Sequence, residues 1–458
     1  MGSLYGALGI ALSGMQAARA GVEITSNNIA NVNTPGYSRE QVNLEASAPV
    51  QVGNLLFGTG VSIGQTTSIR DSLLDQRLDQ ENQSASQLNS FLGSLNQVQT
   101  LFNETSGSGL QAPLTAFFNS LTQLSTNPSS STYRQAVITA GQNLATDFQQ
   151  DYSNLQSLQG SNDQAVVQSV DQVNELSQQI AGLNVQISNL EGVGQDAGQF
   201  IDERTQLVNQ LSGQIGITET NAGDGSLTIA TANGATLVDE GQSFALTTQV
   251  NPNTTFHDVY SNGTDITSSI SGGAIGGLIQ SRDQAIPAVL NQLDTLAYNL
   301  ETAVNTQSTA GYDANGNAGV NFFTQPTNVS GAASTIAVAI TDPNLVAASS
   351  DGTIGSNGNA LALANLQNQN IVSGQTPLNY YSNTVFQIGN QVSQAQSEQT
   401  AVGLVQTQLT DQQGAVSGVS LDQEAVNLIQ YQAAYQASAN VINVINTLLT
   451  ATLDISTS

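Results

Sequence analysis

The chain has 458 residues, 39% of them hydrophobic, which is enough for two or three buried cores and too much for a disordered segment. Only 9% are charged, against about 25% in ordinary soluble domains, so solubility rests on Asn, Gln, Ser and Thr. A formal net charge of −27, with arginine supplying all 7 basic residues, argues against a nucleic-acid partner and disfavours anionic membrane surfaces. The absence of cysteine removes disulfides and thiol chemistry.

From the N-terminus, Leu8, Met15, Val22 and Ile29 recur every seven residues, and Leu4, Ala11, Ala18, Thr25 and Val32 form the second register of the same stripe. This spacing predicts one long, seamed helix running to Val32. Residues 4–18 are apolar enough to imitate a secretory core. No basic segment precedes them, and the repeat continues past Arg19, so a packed helix is the reading. No stretch of eighteen apolar residues occurs, so no membrane insertion is expected. Pro35-Gly36 stops the helix and suits the centre of a type II turn. Alternation at Val42, Leu44 and Ala46, then at Val61 and Ile63 beyond Gly53-Asn54, predicts a β-ribbon.

Helical period returns at Ser72, with Leu74, Leu88, Leu95 and Phe102 on one line. The segment Gly107 to Pro113 reads as a break. Shorter helices then lead into a long one, where Val173, Leu176, Ile180, Leu183, Ile187 and Leu190 alternate spacings of three and four. Short alternating runs at Ser226 to Thr231, Ala235 to Val238 and Phe244 to Thr248 predict a small β insert. Helix resumes from Leu278 to Val304, Tyr312 to Gly374 is loop-rich, and helices over Phe386 to Gln413 and Asp422 to Leu453 close the chain. In the last, Leu428, Tyr435, Ile442 and Leu449 form one heptad line and Tyr431, Ser438 and Ile445 the next. Ala434, Val441 and Leu448 open a second seam. The predicted fold is mainly α with a small β insert, with coiled-coil helices from the two termini paired in an elongated, multi-domain chain. Its parts are a terminal unit (1–65 and 416–458), a helical layer (66–216 and 279–415) and the insert (217–278).

Two constellations imitate chemistry. Gly60-Val-Ser62-Ile-Gly64 matches a nucleophile elbow, but the one histidine, His257, lies in a polar run with no lipase-like context, so both are expected to be structural bystanders. Asp313-Ala-Asn315-Gly-Asn317 resembles half of a calcium loop. It lacks glycine at the sixth position, where Ala318 stands, and glutamate at the twelfth, where Thr324 stands. No catalytic, cofactor or metal site is expected.

The run from Ser26-Asn-Asn-Ile-Ala-Asn to Thr34-Pro-Gly-Tyr37, together with the seamed C-terminal helix, resembles the ends of bacterial flagellar axial proteins. Phe117-Phe-Asn-Ser-Leu-Thr-Gln-Leu-Ser-Thr-Asn-Pro128, Arg134-Gln-Ala-Val, Phe200-Ile-Asp-Glu-Arg-Thr-Gln-Leu-Val-Asn-Gln-Leu211 and Gly276-Gly-Leu-Ile-Gln-Ser-Arg-Asp283 resemble its hook-associated branch, with a hook or rod protein as the alternative. The resemblance implies a non-enzymatic, secreted, extracellular protein of the flagellum, passed unfolded through a narrow channel. It would assemble as a ring between hook and filament. Implied partners are further copies of the chain, the hook protein, the next junction protein and a dedicated export chaperone on the C-terminal helix. Leu4, Leu8, Ala11, Met15, Ala18, Val22, Ile29, Val32, Leu428, Tyr431, Tyr435, Val441, Ile442, Ile445, Leu448 and Leu449 are the expected assembly interface. Ordering about thirty residues costs roughly 1 to 2 kcal/mol each, more than eight or nine seam side chains return at roughly 1.5 to 3 kcal/mol each. The end helices are therefore expected to order mainly when neighbouring copies cover both seams, which no single chain does.

Overall fold

The computed structural model describes residues 2–52, 54–103 and 109–457. Helix α1 (Gly2–Ala30) ends two residues short of Val32, so that last stripe position sits in the following turn rather than on the helix. The cause is local. Asn31 turns its Nδ2 back onto the Asn27 carbonyl and side-chain oxygens at 3.1 and 3.0 Å, an asparagine bond that competes with helix propagation. Gly36 then adopts φ +76 and the Tyr37 N–H donates to the Thr34 carbonyl at 3.2 Å, as a type II turn requires.

Strand β1 (Glu40–Ala46) pairs antiparallel with β4 (Val61–Ser68), and β2 (Val50–Val52) with β3 (Leu55–Phe57) forms the hairpin between them. The register slips between Val42 and Leu44, which leaves Val42 buried and Leu44 exposed despite their alternation. Gly53, expected in the turn, lies outside the described residues.

Helix α2 (Ser72–Leu101) is capped by the Asp71 carboxylate, which accepts from the Leu73 and Leu74 N–H groups. Part of the expected break at 107–113 lies outside the described residues; α3 (Gln111–Thr126) begins within it. Of the shorter helices expected to lead into the long one, α3 is present, and the rest is continuous with the long helix as one rod, α4 (Ser131–Gly192), 62 residues long. Glycine in a helix costs about 1 kcal/mol. Here Gly141 lets α4 approach Phe322 and Val338 so closely that a Cβ would have no room, and burial on that face outweighs the cost.

After α5 (Gly198–Gln214) come two small antiparallel sheets. One contains β5 (Ile217–Asn221), β6 (Leu227–Thr231), β7 (Thr236–Asp239) and β8 (Gln242–Ser243) in sequential order. The other places β10 (His257–Ser261) between β9 (Leu246–Val250) and β11 (Thr264–Asp265). Ile229, Leu237, Val238 and Val259 of the sheets bury against Val166, Val170 and Val173 of α4 and against Ile275 of α6 (Gly273–Gln280). The β unit thus shares a core with the helices. A π-helical turn (Ser281–Ala285) joins α6 to α7 (Ile286–Thr309).

A second core lies nearer the start of α4, where Val137, Leu144 and Phe148 meet α3 and α7. Here Phe117, Phe322 and Phe323 cluster, the last two edge-to-face at 4.9 Å. The loop-rich stretch carries short α8 (Ala332–Thr335) and α9 (Gly358–Asn365) and two single 3-10 turns, Pro343–Leu345 and Leu366–Asn368. Helix α10 (Pro377–Ser417) runs along α2, and α11 (Leu421–Thr457) along α1. The result is an elongated, mainly helical chain whose two ends meet. No described helix is long and apolar enough to cross a membrane.

Candidate assembly interface

Gly14 of α1 faces Ser438, and Gly21 faces Tyr431, so the terminal helices run antiparallel. A Cβ on Gly21 would overlap the Tyr431 ring; glycine sets this close approach. On α1, Ala11, Ala18 and Thr25 are buried, while Leu4, Leu8, Met15, Val22 and Ile29 are half-buried, as is Val32 in the turn. On α11, Ile445 is buried and Leu428, Tyr431, Ile442 and Leu449 are half-buried. One seam is therefore covered within the single chain, contrary to the expectation that neither is. Neither end could order alone, but the antiparallel pair and the β1–β4 ribbon cover α1 together.

Tyr435, Val441 and Leu448 remain exposed, at 41%, 47% and 48%. Tyr435 is thus separated from the heptad line on which the sequence placed it, whereas Val441 and Leu448 belong to a stripe on the outer face. That stripe is longer than expected: Val426, Ile429, Ala433, Ala437, Val441, Val444 and Leu448 are all exposed along α11. Val426, Ile429 and Val444 were missed, although their three- and four-residue spacing was available. On α1, Tyr5, Ile10 and Leu12 are exposed as well.

The turn after α1 is anchored by buried polar bonds. Asn28, 1% exposed, donates through Nδ2 to the Glu40 carbonyl at 2.9 Å and accepts the Glu40 N–H at 3.0 Å and the Tyr37 hydroxyl at 2.8 Å. Burial, then the nearby carboxylates of Glu40, Asp202 and Glu424, push the Tyr37 phenol upward, so it stays a donor. From the other side α5 grips the same turn. Asp202 accepts the Ser38 N–H and hydroxyl at 3.0 and 2.7 Å and pairs with Arg70 at 2.8 Å, and Gln206 donates to the Pro35 carbonyl at 2.6 Å. The Arg39 N–H donates to the Ser417 carbonyl at 2.9 Å, at the end of α10. The i, i+4 spacing of Asp202 and Gln206 was the signal for this clasp.

His257 is no bystander. Its N–H and Nδ1 meet the two oxygens of Asp163 on α4 at 2.7 Å each, and Arg282, 1% exposed, bonds Asp163 at 2.7 Å and the His257 carbonyl at 2.8 Å. Arg282 also holds Asp283 through Nε and Nη2 and stacks over Phe256. Ser62 lies in a different sheet and donates to the Glu45 carbonyl at 3.3 Å. At Asp313, burial would raise the pKa, but the donors of Asn317 and Asn315 outweigh it and hold the carboxyl below its usual range. That loop is a self-bonded turn.

An antiparallel pair of end helices, with a helical layer and a β unit carried between them in the chain, is the architecture of a flagellar axial protein. Family models match three segments: the "Flagellar hook-associated protein FlgK helical domain" over residues 95–323, the "Flagella basal body rod protein" over 8–37 and the "Flagellar basal body rod FlgEFG protein C-terminal" over 412–455. The flagellar hook-associated protein 1 of Bacillus subtilis (strain 168) is 30% identical, with 98% of each chain covered. That of Salmonella typhimurium is 28% identical over 97% of this chain and 99% of its own. The solved flagellar hook junction protein FlgK from Burkholderia pseudomallei shares the fold, with a TM-score of 0.66 at 17% identity over 75% of this chain and 100% of its own. The chain belongs to the flagellar hook-associated protein 1 family, structural proteins of the hook-filament junction of the bacterial flagellum. The rod-type matches are confined to the shared ends.

Proposed function

We propose that the chain assembles as a ring between hook and filament, outside the cell, through its terminal helices. The observation that carries this reading is the exposed apolar stripe of α11, opposite the seam that α1 fills. Contiguous apolar surface of this kind marks an interaction site. In this reading Ala11, Ala18, Thr25, Leu428, Ile442 and Ile445 build the α1–α11 pair, while Val441, Leu448, Ile429 and Val444 meet a second copy. The hook protein and the next junction protein would flank the ring, and an export chaperone would cover the C-terminal helix beforehand. The work done is packing, with no catalysis and no cofactor. Residues 1–65 with 416–458 form the inner unit, 66–216 with 279–415 the helical layer and 217–278 the outward insert.

Because the chain has no cysteine, single thiols report contacts cleanly. Val444→Cys on intact flagella, treated with a short bis-maleimide, should give covalent dimers, while Thr254→Cys on the insert should not. Equal yields from both, or none from Val444→Cys, would overturn the assignment.

A further inference from the structure

Along α2, residues four apart turn a polar stripe toward the β unit. Asp79 meets the Glu219 carboxyl of β5, Gln83 donates to the Ile217 carbonyl at 3.1 Å, and Gln87 accepts the Gly272 N–H at 3.2 Å. One turn earlier, Asp75 accepts from Gln413 of α10 at 2.6 Å. Asp75, Asp79, Glu219, Arg70 and Arg204 line a cavity of about 100 Å³. Asp79 is 3% exposed. Its neutral donors Asn209 and Ser212, at 2.9 and 3.4 Å, both reach Oδ1, and its further side-chain hydrogen bond is to Glu219.

Neither nearby arginine is hydrogen-bonded to the pair, although Arg70 keeps its buried Nε and Nη1 without a partner. Arg70 pairs with Asp202, and Arg204 donates to the Asn184 side chain and the Gly225 carbonyl. A chain with 7 basic residues against 34 acidic ones has few others to bring. Two touching carboxyls in such a site do not both ionise readily, and a proton between them restores a hydrogen bond.

We propose that Asp79 and Glu219 share one proton that latches β5 onto α2, and that losing this proton frees that edge of the β unit. The groups facing the pair are Arg70 just before α2, Asp75 on α2, Asn209, Ser212 and Arg204 on α5, and Gln413 on α10, which bonds Asp75. Burial raises both acids; at Glu219 the charge and hydrogen bond of Asp79 and then the charge of Asp75 add to it with Arg204 opposing, whereas at Asp79 the hydrogen bonds of Asn209, Glu219 and Ser212 oppose burial and the charge of Asp75. Raised folded values mean that the latch is closed at acidic pH and opens as pH climbs.

Hydrogen-deuterium exchange of the full chain between pH 6 and 9, corrected for intrinsic exchange, tests this. Wild-type protection over residues 217–221 should fall about tenfold, a local opening rather than global unfolding. Glu219→Gln, which keeps a donor at every pH, should give a flat profile. Identical profiles for the two proteins, or a flat wild type, would overturn the latch. Should Glu219→Gln fail to fold, Asp79→Asn serves in its place. Infrared spectra of chain labelled at glutamate carboxyls, in a Glu301→Gln background, should show one protonated acid at pH 6 that is lost by pH 9. Full ionisation at pH 6 would equally refute the proposal.

Discussion

Asn28 and Glu40 hold each other through two bonds between one side chain and one residue's backbone, the carboxamide donating to the carbonyl at 2.9 Å and accepting the N–H at 3.0 Å. This side chain mimics a strand partner. It pairs the first residue of β1 with the last turn of α1, so the helix and ribbon leave the junction at a fixed angle. Asn28→Ala would strand both backbone groups and the Tyr37 hydroxyl, and each orphan costs about 1 to 3 kcal/mol when buried. The expected outcome is faster tryptic cleavage after Arg39, with the central helices unaffected. Asn28→Asp keeps the acceptor and should recover part of the protection.

The two faces of α11 should separate in mutants. Leu428→Asp buries a carboxylate against α1, so the isolated chain should lose helix at both ends, as circular dichroism and limited proteolysis would register. Ile429→Asp points outward, at 67% exposure. It should leave the isolated chain intact and instead block filament attachment, with flagellin shed into the medium. Normal filaments on cells carrying Ile429→Asp would refute the outer-face assignment.

What could be read from the chain follows from how regular each signal is. The heptads of α1, α4 and α11 repeat often enough to announce themselves, and Pro35-Gly36 has one conformational use. Strands β5 and β10 escaped because Ile217-Thr-Glu-Thr-Asn221 and His257-Asp-Val-Tyr-Ser261 are mostly polar and are set by cross-strand pairing and by Gln83 and Asp163. The clasp at Asp202 and the Asp163–His257–Arg282 cluster join residues more than a hundred apart or on separate elements. The cluster has no periodicity to betray it, and the clasp only the i, i+4 spacing of Asp202 and Gln206, which does not name the turn it grips. The covered seam escaped for another reason, since pairing of the two ends within one chain is a tertiary fact.

Arg282 ties α4, β10 and the π-turn together. Removing one partner of a buried ion pair costs about 3 to 5 kcal/mol, so Arg282→Met should loosen the β unit before the α1–α11 pair. Protease sensitivity over residues 250–262 is the measurement. Arg282→Lys cannot hold Asp163 and both oxygens of Asp283 at once, so it should rescue poorly. Ser62→Ala should shift stability by less than about 1 kcal/mol, as substitutions away from special sites do, while His257→Ala should cost more.

Glu301 of α7 is 1% exposed, and its Oε2 has no hydrogen-bond partner. Burial pushes its pKa up from 4.5 to about 8, with the Thr324 hydrogen bond opposing. The native chain therefore holds this proton over a range where the unfolded chain has released it. The sign follows from linkage: its contribution is full below the unfolded pKa and declines as pH rises toward the folded value. Glu301→Gln keeps the shape and removes the titration. It should raise the urea midpoint at pH 8 while leaving the midpoint near pH 4.5 almost unchanged, so the two proteins diverge as pH increases. The slope contributed by Asp79 and Glu219 stays in both proteins and cancels in the comparison. Parallel pH curves for wild type and Glu301→Gln would show that this carboxyl is solvated in the folded chain.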